Sequence, residues 1–142
     1  MRFMMIMYPG QKAEAPGAMP DEKLMAAMMK YNEELAKAGA LLALDGLQPT
    51  AKGARVRFTK GQPVVTDGPF TESKEVVGGY WMIQVRSREE AIEWAKRAPC
   101  PEGETIEVRQ VFEPEDFGPD VAKEERAMMD KIGQTMDRNK NG

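Results

Sequence analysis

Hydrophobic and polar positions in this chain follow two different periods, and the switches between them mark its elements. Residues Arg2 to Tyr8 hold the run Met4-Met5-Ile6-Met7, apolar on both faces as a central or doubly covered strand would be. Pro9 to Met19 carries Gly10, Pro16 and Gly17 and reads as a loop. From Pro20 to Ala38 the period becomes helical. Leu24, Met28, Tyr31 and Leu35 recur along one stripe, with Met25 and Met29 beside them. Pro20 suits a first helical position, Asp21 and Glu22 suit the positive end of the helix dipole, and Gly39 suits a left-handed terminating residue. The methionine-rich stripe reads as core packed against a sheet.

Ala40 to Leu47 reads as the second strand, closing in Leu44-Asp45-Gly46-Leu47. Arg55-Val56-Arg57-Phe58 and Pro63-Val64-Val65-Thr66 flank Thr59-Lys60-Gly61-Gln62, a hairpin signal with Gly61 at positive φ. Val77 to Arg86 alternates strictly, with Tyr80, Met82 and Gln84 on one face and Trp81, Ile83 and Val85 on the other. Gly78-Gly79 at its start signals a bulge or a close backbone approach. Ser87-Arg88-Glu89-Glu90 is a capping box that opens a second helix running to about Arg97, with Ala91, Ile92 and Ala95 inward. Thr105 to Phe112 alternates again and has one wetter face, Thr105, Glu107 and Arg109. Asp120 to Met136 predicts a third helix with a narrow stripe of Val121, Met128, Ile132 and Met136, more a docking seam than a core face. Asp137 to Gly142 reads as a frayed tail.

The order is strand, helix, strand, hairpin, strand, helix, strand and an extra helix. Each half contains strand, helix and strand, the plan of a ferredoxin-like α+β fold with helices on one face of an antiparallel sheet. The second sheet face then needs cover, and pairing with a second copy about a two-fold axis is the commonest solution for a chain of this size. A homodimer is therefore expected.

Composition narrows the chemistry. With 42% hydrophobic and 30% charged residues, the chain has the balance of a soluble globular protein. A net charge of −3 argues against a nucleic-acid partner, which requires a basic face. No run reaches the roughly 18 apolar residues of a membrane span, and the apolar start lacks a signal-peptide cleavage pattern, so a cytoplasmic protein with no membrane partner is expected. The chain has no histidine. That removes Ser-His and Cys-His nucleophile pairs and the commonest general base. Cys100, between two prolines and with no base nearby, reads as incidental, and phosphate-loop, dinucleotide and zinc spacings are absent.

What chemistry remains concentrates in Asp67-Gly68-Pro69-Phe70-Thr71-Glu72-Ser73-Lys74-Glu75, followed by Gly78-Gly79-Tyr80-Trp81. Asp67 has two readings: a general base or ligand anchor, or a turn residue capping the amide of Phe70 or Thr71. Its usual partner, two residues on, is Pro69, which has no N–H. Glu72, Lys74 and Glu75 could orient a polar substrate or form a solvated face. Asp45 with Asp67 would make a carboxylate pair for acid–base work or a weak divalent-cation site. Tyr80 and Trp81 read as core or as a stacking platform. Arg55 and Arg57 share a hairpin face suited to an anion or to solvent.

The segment Val65 to Glu75 with Gly78-Gly79-Tyr80 closely resembles the DGPF subgroup of the YCII-related proteins, as do Met4-Met5-Ile6-Met7-Tyr8, Gly46-Leu47-Gln48-Pro49 and Glu107 to Phe112. The resemblance covers about residues 1 to 113. It implies a dimeric α+β barrel of two ferredoxin-like units packed sheet to sheet. Related proteins carry a His and Asp proposed as a catalytic pair, and this chain lacks the His. Asp67 matches the motif aspartate and is the candidate catalytic residue. Asp45, Asp67, Phe70, Glu72, Lys74 and Tyr80 are the candidate ligand-binding residues for a small polar molecule; no metal or cofactor is assigned. Some relatives are encoded beside extracytoplasmic-function sigma factors, so the resemblance also implies a regulatory or interaction role as the alternative. A domain over residues 1–113 and an extension over 114–142 are expected, with the final helix docking on the domain, across the dimer or on a protein partner.

Overall fold

The apolar opening run forms strand β1 (Arg2–Tyr8), with Phe3 and Met5 buried on one face and Met4 and Ile6 half-buried on the other. In the computed structural model β1 lies between β5 (Gly79–Gln84) and β6 (Thr105–Gln110), with β2 (Leu41–Gly46) on the far side of β5. All three pairings are antiparallel. The remaining strands, β3 (Ala54–Thr59) and β4 (Gln62–Asp67), form a separate two-stranded hairpin. The described residues are 1–15, 17, 19–70 and 75–142, with backbone alone at 11 and 12. They form two compact units, Met1–Gln110 and Val111–Gly142.

With the hairpin set aside, the first unit is the expected ferredoxin-like α+β arrangement, each half contributing strand, helix, strand. Its helices are α1 (Glu22–Lys37) and α2 (Arg88–Lys96). Both turn their apolar stripes to one sheet face. Phe3 and Met5 of β1 and Trp81 and Ile83 of β5 are buried there with Tyr31, Leu35, Ala91 and Trp94 of the helices. The polar atoms in this core are paired. Trp81 donates its indole N–H to Asn32 Oδ1 at 2.8 Å, and Tyr31 donates its hydroxyl to the Trp94 carbonyl at 2.7 Å. The Tyr31 ring meets Trp81 and Trp94 edge-on at 5.7 and 6.3 Å, an arrangement the ring quadrupoles favour.

Several local expectations change in detail. Asp21, not Pro20, sets the start of α1: it is the N-cap, and its carboxylate accepts from the Leu24 amide at 2.7 Å. Of the methionine stripe only Met28 packs against the core; Met25 and Met29 are exposed. At α2 the Ser87 hydroxyl accepts from the Glu90 amide, but the Glu90 carboxylate reaches the amide of Arg86 instead of that of Ser87. Trp94 is the main inward side chain of α2, set beside the predicted Ala91. Gly39 and Gly61 take positive φ as predicted, and Lys60 joins Gly61 in the left-handed region, the geometry of a tight two-residue hairpin turn.

In the second unit a 3-10 turn over Pro114–Phe117 leads into α3 (Pro119–Asn141). Phe112 and Phe117 stack at 5.0 Å, and Arg126 pairs with Glu115. The predicted frayed tail is helical to Asn141. Val121, Met128, Ile132 and Met136 lie exposed along α3, whose only buried residue is Ala122. No described helix is long and apolar enough to cross a membrane.

Burial pushes the Tyr31 hydroxyl up to about 12 from an ordinary 10.0. The native state then holds this proton more tightly than the unfolded chain. The resulting stabilisation is complete below the unfolded value and is lost as pH rises through the folded one. Tyr31→Phe should lower stability near neutrality by about 1 kcal/mol, from the lost hydrogen bond. It should also flatten the alkaline fall in stability between about pH 10 and 12. Urea unfolding across that window measures both effects, and an unchanged alkaline slope in the variant would contradict the assignment.

Candidate functional site

The turn that leaves the hairpin is held from one side by a segment the sequence reading passed over. Asp67 ends β4 opposite Ala54. The next residue, Gly68, donates its amide to the Gly53 carbonyl at 3.0 Å, and the Gly68–Pro69 bond is cis. Phe70 donates its amide to Thr50 Oγ1 at 3.0 Å. Thr50 donates its own amide to Glu14 Oε1 at 3.0 Å, and its hydroxyl to Glu14 Oε2. A Cβ on Gly68 would lie 1.8 Å from the Thr50 carbonyl oxygen, so the turn is seated directly on that backbone. The Arg55 guanidinium covers the Phe70 ring at 3.8 Å, a cation–π contact. Arg55 thus stacks on an aromatic ring of the motif turn.

These contacts give Gly68 and Phe70 structural partners. The cap expected from Asp67 on the Phe70 amide is replaced by the Thr50 hydroxyl. Thr71, Glu72 and Lys74 lie outside the described residues. Among the described residues no hydrogen bond or ion pair reaches the Asp67 carboxylate, and none joins it to Asp45. Glu14 and Thr50 carried little sequence signal: one ends a short 3-10 turn within a segment that reads as loop, the other follows Pro49, and only the fold brings them to Phe70.

The second concentration of polar groups is on the sheet face opposite the helices. Gly78 and Gly79 bring β5 close to both neighbours. Gly78 donates to Met7 and accepts from Leu47, a Cβ on Gly78 would lie 2.6 Å from the Pro9 ring, and one on Gly79 would lie 2.9 Å from the Asp45 carbonyl oxygen. This is the predicted close approach, and it sets the register that places Tyr80 opposite Asp45. Tyr80 also pairs with Ile6, and Ile6 with Glu107. The row Asp45, Tyr80, Ile6, Glu107 therefore crosses all four strands, a span of about 14 Å at ordinary strand spacing. The next row is Ala43, Met82, Met4 and Arg109.

Each end of the first row is a hydrogen-bonded group. Tyr80 donates its hydroxyl to Asp45 Oδ2 at 2.8 Å, and this bond, with some burial, raises its pKa. Glu107 accepts from the Tyr8 hydroxyl at 3.3 Å and from Arg109 Nε at 2.6 Å. Partial burial, then the charge and hydrogen bond of Glu107, raises the Tyr8 pKa. Both tyrosines thus remain protonated donors at neutral pH. The face offers carboxylate acceptors, phenol and guanidinium donors, and an apolar middle of Ile6, Met4 and Met82. Among the described residues it holds no activated nucleophile. Cys100, elsewhere in the chain, is partly buried, and burial pushes its thiol up to about 11, with Glu104 adding to the effect. Among the described residues no group of three or more acidic or cysteine side chains could hold a metal ion.

Of the candidate residues, Asp45 and Tyr80 are brought into direct contact, while Asp67 and Phe70 belong to the separate hairpin turn. Tyr8, Glu107 and Arg109 were not singled out as a site. Their sequence signals were the family resemblance of the segments that hold them and the alternation of the last strand, which put Glu107 and Arg109 on its wetter face.

The strand order and the two helices on one side define a ferredoxin-like α+β domain, and a motif turn and a polar row across the free sheet face distinguish this example. The YCII-related domain model matches residues 1–115, and the chain belongs to the YCII-related family. It is similar to an uncharacterised protein of Rhizobium meliloti (strain 1021), with 34% identity over 76 residues, 54% of this chain and 61% of that relative. The chain thus spans about three fifths of the length of the curated relative it matches.

Proposed function

We propose that this YCII-related protein acts as a homodimer that binds a small polar molecule on the free face of its four-stranded sheet. The observation that carries the reading is the row Asp45, Tyr80, Ile6, Glu107, which has a carboxylate at each edge and a tyrosine-backed hydrogen bond at both ends. Packing the sheets of two copies face to face would exclude water from this row and strengthen its hydrogen bonds to a ligand. The carboxylates favour a ligand that carries hydroxyl or amino donors. This reading moves the site from the motif turn, whose amides at Gly68 and Phe70 are already paired, to the four-stranded sheet that the chain enters after it, at β5.

A thermal-shift screen of the purified protein against small polar metabolites tests it. A true ligand at about a hundred times its dissociation constant stabilises by about 2.7 kcal/mol. Asp45→Asn should abolish the shift, while Asp67→Asn should keep it. Retention of the shift in Asp45→Asn would refute the sheet site, and loss of it only in Asp67→Asn would return the site to the turn. If no molecule in the screen shifts the melting temperature, the second reading takes over: a non-catalytic interaction module. The observation that favours it is the exposed apolar stripe of Val121, Met128, Ile132 and Met136 on α3.

A further inference from the structure

The final helix is long and has little to rest on. The unit Val111–Gly142 buries only Pro114 and Ala122. Val121, Met128, Met129, Ile132 and Met136 of α3 are between 43% and 56% exposed. A helix in a protein gains most of its stability by packing an apolar face, and these five residues share one side of α3 at helical spacing. One flank of that stripe carries Asp120, Glu124, Lys131 and Arg138, all exposed. From the N-terminal end the signs on this flank run acid, acid, base, base. The other charges of α3 lie elsewhere on the wheel. Arg126 is tied to Glu115. Lys123, Asp130 and Asp137 are on the far side, Lys140 is at the opposite edge of the stripe, and Glu125 interrupts the stripe itself.

We infer that α3 pairs antiparallel with α3 of a second copy of the chain, through the stripe of Val121, Met128, Ile132 and Met136. What identifies a second copy as the occupant is that the helix is its own complement. Reversing α3 about a point close to Met129 sets Val121 opposite Met136 of the copy and Met128 opposite its Ile132, to within one turn. The same reversal sets Asp120 opposite Arg138 and Glu124 opposite Lys131. The apolar stripe and the charged flank therefore call for one and the same two-fold axis, and an isologous interface demands such agreement. A parallel pair would put acid on acid and base on base along this flank. Antiparallel pairing also brings opposite ends of the two helix dipoles together. Glu125 then comes opposite Thr135 of the copy. One polar layer of this kind costs stability but fixes the register of paired helices.

Disulfide trapping in the purified full-length chain tests this. Val121→Cys and Met136→Cys are made separately in a Cys100→Ser background, so each chain carries one thiol. Both positions are exposed within one chain, and circular dichroism checks that the fold is kept. On mild oxidation the two variants mixed together should crosslink at least about tenfold faster than Ala127→Cys, which lies on the far side of the helix, because pairing raises the local thiol concentration. Each variant alone should crosslink no faster than that control, since antiparallel pairing keeps identical positions far apart. Glu125→Cys mixed with Thr135→Cys takes the same role should either of the first pair fold poorly. A mixture no faster than the control overturns the pairing. Fast crosslinking of Val121→Cys with itself and of Met136→Cys with itself means parallel helices, and overturns it too. The thiols report on α3 alone, so the result stands apart from the sheet-face site proposed above, and either can fail without the other.

Discussion

Gly68→Ala should be among the most damaging single substitutions in this chain. A Cβ at position 68 would sit 1.8 Å from the Thr50 carbonyl oxygen and 2.6 Å from its carbon, both backbone atoms that no side-chain rotation can clear. Either the turn lifts off Thr50 or the Thr50 segment moves. In the first case Phe70 loses its bond to the Thr50 hydroxyl, and the Gly68 bond to Gly53 goes with it. The expected cost is about 3 kcal/mol, from a backbone clash combined with lost, partly buried hydrogen bonds. For a chain of this size that lowers the melting temperature by about 10 °C. Gly10→Ala is the control, because a Cβ there meets nothing within 4 Å. Calorimetry on the two variants decides the matter. Equal melting temperatures would mean that the turn is not seated on Thr50 and that the motif glycine has another purpose.

Trp81→Ala should cost still more, about 3–5 kcal/mol. The indole is buried in the centre of the sheet, meets the edge of Tyr31 and donates to Asn32. Truncation would leave a cavity and an orphaned amide oxygen on α1. Trp81→Phe should recover most of the packing but not the bond to Asn32, so it should fall between parent and Ala. Urea titration gives the three values. If the Phe variant matched the Ala variant, the Asn32 bond would outweigh the packing, contrary to the burial of the indole against Tyr31.

Tyr80, the neighbour of Trp81, illustrates how one strand divides its work. Odd positions of β5 enter the core and even positions reach the free face. This division was legible from the alternation alone, because strand side chains alternate with a period of two whatever surrounds them. The helical stripe of α1 was legible for the same kind of reason, though the period could not say how wide the buried face would be. Met25 and Met29 fall just outside it because α1 packs through Tyr31 and Leu35. Trp94 had a weak signal, because its immediate neighbours Glu93 and Ala95 are charged or small and the stripe of α2 is short.

The motif turn was conspicuous from composition, since glycine, proline and acidic residues coincide there. Its partners were not. Glu14 and Thr50 are 36 residues apart, and Thr50 and Phe70 a further 20. No local pattern links such positions, because the contact depends on where three connecting segments meet in space. The polar row shows the same limit. Asp45, Tyr80 and Glu107 come from separate strands, and only the register set by the tight packing of Gly78 and Gly79 aligns them.

By itself the sequence determined the elements, their order, the ferredoxin-like plan and the family, because these follow from local periodicity, turn chemistry and one long motif. Tertiary structure alone decided which groups meet: Thr50 beneath the motif turn, Asp45 on Tyr80, Tyr8 and Arg109 on Glu107, and a hairpin whose apolar face is left uncovered. Periodicity is a property of neighbouring residues. Contact between distant ones is set by strand register and by the close approach of backbones, and those exist only once the chain has folded.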